Sequence, residues 1–110
     1  MGDRMARLNQ RPIPPAALED PDAVEMLRVW IASEGLHCSI KVGMYVESTD
    51  VPEEAAWGKI LADTARHVAR ALSTGYAQDP ETILEGIRAR FLEELDSPTS
   101  DVEGDFFISN

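Results

Sequence analysis

One cysteine, few aromatics, a deficit of positive charge and no long apolar run set the outer limits of this chain. Cys38 stands alone, so no internal disulfide can form. No stretch approaches the roughly 18 consecutive apolar residues of a membrane-spanning helix. Ten Lys and Arg against twenty Asp and Glu leave a net charge of −10, and from residue 13 onward the balance is seven basic to nineteen acidic. Such a body repels phosphate backbones, and it offers no Lys/Arg patch interleaved with aromatics. Nucleic acid and anionic membrane are therefore excluded as expected partners. Also missing are a serine nucleophile elbow, a phosphate-cradling glycine loop, a zinc-binding helix and an EF-hand loop. No cofactor and no metal are expected, and the reading leans away from an enzyme. The opening MGDRMARLNQRPIPP lacks the apolar core of a secretory signal. Ala6 stands where a myristoylation signal wants Ser or Thr, so cytoplasm is the expected location.

What is present fits one small domain, since 110 residues are about one core's worth. A chain this short buries a small share of its surface, which makes self-association a fair expectation. Residues 1–22 hold four of the seven prolines and three arginines (Arg4, Arg7, Arg11), and read as an extended or turn-like arm. Ile13, Ala16, Ala17 and Leu18 give that arm an apolar handle for docking. The domain proper spans 23–97, and 98–110 form an acidic tail whose only apolar element is FFIS. That tail is either frayed or a docked edge strand.

The segment RVWIASEGLHCSIKVG alternates as a β-hairpin does. A two-residue turn at Glu34-Gly35 sets Ile31 opposite Cys38, Val29 opposite Ile40 and Leu27 opposite Val42, with every apolar residue on one face. Ala32 with His37, Trp30 with Ser39 and Arg28 with Lys41 take the other face. A helix is the competing state, because Ala23, Met26, Leu27, Trp30 and Ile31 also fit a helical stripe. MYVEST then either extends the second strand or forms a third.

Asp50 as N-cap, Pro52 in the first turn and Glu53 three residues on announce a long helix ended by Gly75. Trp57, Ile60, Leu61, Ala65, Val68, Ala69 and Leu72 form its apolar stripe, and Gly58 inside it suggests a close backbone approach. A second helix starts with Asp79 as N-cap and Pro80 at the first position, carries Ile83, Leu84, Ile87, Phe91, Leu92 and Leu95, and stops before Pro98. The short link makes the two helices antiparallel. The expected fold is thus α+β: a hairpin, with room for a third strand, packed through Leu27, Val29, Ile31, Cys38, Ile40 and Val42 against two antiparallel helices.

Two constellations are candidates for function. Trp30, with His37 near it, lies on the sheet face away from the helices, where a large aromatic needs a cover. The arm is one cover. A second subunit is the other, and a homodimer joined through the hairpin is expected. Asp63, Arg66, His67 and Arg70 form a polar cluster on the first long helix, with Asp63 and His67 at i, i+4. A carboxylate so placed can orient an imidazole as a base or help ligate a metal. No third ligand is identifiable, however, and a solvated ion-paired helix face is the plainer reading. Cys38, placed in the core by alternation, reads as an inert small hydrophobe.

The stretches PIPPAALEDPDAVEMLRVWI, AWGKILADTARHVARAL and LEELDSPTSD resemble a small, mainly alphaproteobacterial family of uncharacterised proteins, a domain of unknown function. The resemblance covers most of residues 12 to 101. It implies a coherent fold and transfers no activity, cofactor or residue role. The functional expectation is a non-enzymatic interaction or regulatory module meeting a protein or small-molecule partner. The alternatives are a chaperone-like binder of a client protein, and a small enzyme or metal-binding protein centred on Asp63, Arg66 and His67.

Overall fold

The computed structural model describes residues 8–108. Arg4 and Arg7 of the arm lie outside them. In chain order the elements are α1 (Pro15–Glu19), β1 (Leu27–Ala32), β2 (Gly35–Val42), α2 (Met44–Ser48), α3 (Glu53–Tyr76), α4 (Pro80–Asp96), β3 (Val102–Glu103) and β4 (Phe106–Ile108). The fold is α+β, and residues 27–32 are strand rather than helix. The arm is not wholly extended, since Pro15 opens a single helical turn at α1.

The hairpin keeps the expected faces in a different register. Its turn residues are Ser33 and Glu34, both with positive φ (51° and 61°), as a type I′ turn requires. Gly35 is instead the first residue of β2, paired with Ala32. Ile31 therefore meets Leu36, Val29 meets Cys38, Leu27 meets Ile40 and Trp30 meets His37. The expected and observed pairings differ by two residues, so side-chain parity is the same in both. An alternating pattern selects parity and cannot distinguish them.

The third strand comes from the C-terminal tail. MYVEST neither extends β2 nor pairs as a strand: after Gly43, in the left-handed region at φ 102°, it winds into α2. β3 and β4 dock parallel to β2, Leu36 and His37 facing Val102 and Glu103, and Ile40 to Val42 facing Phe106 to Ile108. A parallel return needs a long crossover, and α2, α3 and α4 supply it. β2 is thus central and β1 is an edge. One sheet face carries Leu27, Val29, Ile31, Leu36, Cys38, Ile40, Val42, Val102, Phe106 and Ile108, without a charge. The other carries Arg28, Trp30, His37, Ser39, Lys41, Glu103 and Phe107, and Lys41 Nζ sits 4.7 Å from the Phe107 ring centroid.

α3 begins at Glu53 with Pro52, not Asp50, at the N-cap position. Glu53 and Glu54 in the first turn suit the positive end of the helix. It runs past Gly75 to Tyr76, and Ala77 takes the left-handed φ of 54° that ends it. Gly58 marks no close approach. A Cβ there would meet nothing within 4 Å, and the space belongs to an apolar cleft of about 300 Å³ between α3 and α4. α4 starts as expected, with Asp79 accepting from Thr82 N (2.9 Å) and Thr82 Oγ1 (2.7 Å). Asp79→Ala should lower the melting temperature by a few degrees while Asp79→Asn leaves it nearly unchanged, because Asn caps a helix about as well as Asp. Thermal circular dichroism of the two variants checks this, and equal losses would show that charge rather than capping is at work.

The helical hairpin does not cover the apolar sheet face along its length. Val29 is 49% exposed and Ile31 74%. Cys38 is half-exposed, not a core residue. α3 and α4 pack on each other, and α2 packs on α3. Among the described residues the buried apolar side chains are Ala56 and Ala69 alone.

Candidate functional site

Trp30 and His37 are brought together more closely than the expected register allowed. As direct cross-strand partners on an antiparallel pair, their Cβ atoms are about 5 Å apart. Both are half-buried. The arm comes to Trp30: Asn9 to Pro14 and Ala17 share with Leu27 to Trp30 a cleft of about 600 Å³. Arg28 on this face is held by Glu25, its Nη2 lying 3.0 Å from one carboxylate oxygen and 3.1 Å from the other. Among the described residues no backbone hydrogen bond joins the arm to β1, whose outer edge faces this cleft.

The helix cluster is arranged differently from the Asp63–His67 pairing that its spacing suggests. Asp63 accepts from Lys59 Nζ at 2.6 Å and from Arg66 Nη2. The Lys59 hydrogen bond leads in holding its carboxyl below the usual range, with the charges of Lys59, Arg66 and Arg70 adding to it. His67 lies on the exposed surface of α3. Among the described residues no three His, Cys, Asp or Glu side chains come together as a metal site would need. What forms is a row of i, i+3 and i, i+4 ion pairs in water, each of modest strength.

Glu53 has a role that sequence reading placed elsewhere. Its carboxylate accepts from Gly43 N (2.9 Å), Tyr45 N (3.1 Å), Val46 N (3.1 Å) and Trp57 Nε1 (3.1 Å). The Gly43 amide is the largest cause of its lowered pKa, with Val46, Trp57 and Tyr45 contributing and burial opposing. The residue was visible as a helix-start glutamate. Its long-range capping of α2 was not, because α2 itself was not foreseen.

A β-hairpin, a crossover of three helices and two short strands returning parallel to β2 define a small α+β module. The chain belongs to a family described as a domain of unknown function, DUF5076, whose model matches residues 10–99. Among solved structures it is similar to a chain from the photosynthetic bacterium Rhodopseudomonas palustrus CGA009 named a "putative pyruvate dehydrogenase". The two are 30% identical with a TM-score of 0.63, and the match covers 86% of this chain and 90% of that one. No curated protein matches. Among the described residues no helix is long and apolar enough to cross a membrane.

Proposed function

We propose that this chain is a non-enzymatic interaction module that meets a protein partner at the Trp30–His37 face beside the N-terminal arm. The cleft between the arm and β1 carries the reading. It sets a half-buried tryptophan beside a strand edge, where an extended segment can add main-chain hydrogen bonds and insert a side chain. Elsewhere Asp79 and Glu53 are engaged in capping, and Asp63 in solvated ion pairs with Lys59 and Arg66. The dehydrogenase name belongs to the similar Rhodopseudomonas chain and is not carried over to this one.

A photo-crosslinking residue in place of Trp30 tests the proposal in native lysate. A reproducible adduct with one other protein, lost when the arm is removed through Pro14, is the expected result. Adducts with this chain alone, or none, would overturn it. His67→Ala in the same assay should leave the adduct unchanged.

A further inference from the structure

We infer that the stable unit is a dimer of two copies of this chain, joined through the uncharged sheet face opposite Trp30 and His37. This inference concerns the side of the sheet away from Trp30 and His37, and it shares with the partner cleft only Leu27 and Val29 of β1.

Surface area carries the argument. The single chain exposes 9375 Å², whereas a folded monomer of 12.1 kDa exposes about 6,000 Å². Its radius of gyration is 16.4 Å, against roughly 13 Å for a compact domain of this length. The excess of roughly 3,000 Å² per chain far exceeds the ~800 Å² that a standard interface covers on each side, and it is large enough to supply the roughly 1,000–2,500 Å² per side of an obligate homodimer. It is also apolar and continuous where it matters. Ile31, Val29, Leu36, Val102, Phe106 and Ile108 stand together on one face, and all are exposed.

Two features make the occupant a second copy. With two alanines as its only buried apolar side chains among the described residues, one chain lacks the core that offsets the entropy of folding, so its cover must arrive in fixed ratio during folding. A copy of the same chain does so, and a two-fold axis presents the same patch from both sides. Charge points the same way. Each chain carries −10, so two copies approach most readily through a surface without Asp, Glu, Lys or Arg, and this face has none.

Sedimentation equilibrium and thermal melting of the full chain test this. The wild type should sediment at twice 12.1 kDa, and its melting temperature should rise with concentration. Ile31→Lys, at a position 74% exposed in one chain, should raise the dissociation constant roughly 100-fold or abolish folding, since it places two lysines in the joint. Leu18→Lys, 71% exposed but off the sheet on α1, should change neither property. A wild type that stays at 12.1 kDa with a concentration-independent melting temperature would overturn the inference. So would Ile31→Lys with wild-type mass and melting behaviour.

Discussion

Gly104→Ala should detach the C-terminal strand from β2 and destabilise the fold by about 2–4 kcal/mol, the sum of a forced contact and an unfavourable backbone angle. Gly104 sits at φ 126°, where a side chain is strained whatever the space. Space is also absent. A Cβ there would lie 2.9 Å from the backbone N and C of Cys38, and closer still to its carbonyl oxygen. These atoms belong to the central strand and cannot swing aside as a flexible side chain could. The ladder bond from Ile40 N to Asp105 O (3.3 Å) lies next to the clash. Amide exchange at Ile40 is therefore the direct readout: it should accelerate in Gly104→Ala as β4 lifts away with Phe106 to Ile108. Wild-type protection at Ile40 with an unchanged melting temperature would show that the strand tolerates a side chain there.

Glu53→Ala should be the most damaging carboxylate substitution, lowering the melting temperature by roughly ten degrees. One side chain satisfies the amides of Gly43, Tyr45 and Val46 and the Trp57 indole. α2 has no side-chain cap of its own, so its N-terminal amides would lose their acceptor. The same carboxylate ties the end of β2 to the start of α3, and its loss frees the angle between sheet and helices. Its pKa lies below the ordinary 4.5, so the folded state favours the ionised form. The stability it contributes is complete above that ordinary value and is lost as pH falls through the folded pKa. Glu53→Gln should accordingly flatten the loss of stability below about pH 4.5 relative to wild type. Denaturant titrations of both proteins from neutral to acid pH measure the slopes. Parallel slopes would remove Glu53 from the acid response and leave it to Asp63, Asp79 and Glu94, whose pKa values are lowered as well.

The candidate sites were legible to different depths. Trp30 and His37 share a face because strand parity follows from alternation alone, and parity survives a two-residue change of register. That they are direct partners was hidden, since Ser33 and Glu34, not the more permissive Gly35, took the positive φ values of the turn. At Asp63 the spacing correctly put four polar residues on one helix. Which of them bond was decided by rotamers, and Lys59, four residues before Asp63 and outside that group, won the carboxylate from His67.

Sequence by itself determined the class of fold, the hairpin with its uncharged face, the start of α4 at Asp79 and the acidic surface. These depend on local preference and on periods of two and 3.6, which reach no further than a few residues. Tertiary structure alone decided that Val102 to Ile108 return beside β2, that MYVES winds into α2 under the reach of Glu53, and that Val29 and Ile31 stay open to solvent. Each of those outcomes joins residues distant along the chain, where many pairings satisfy the same pattern and only packing in three dimensions selects among them.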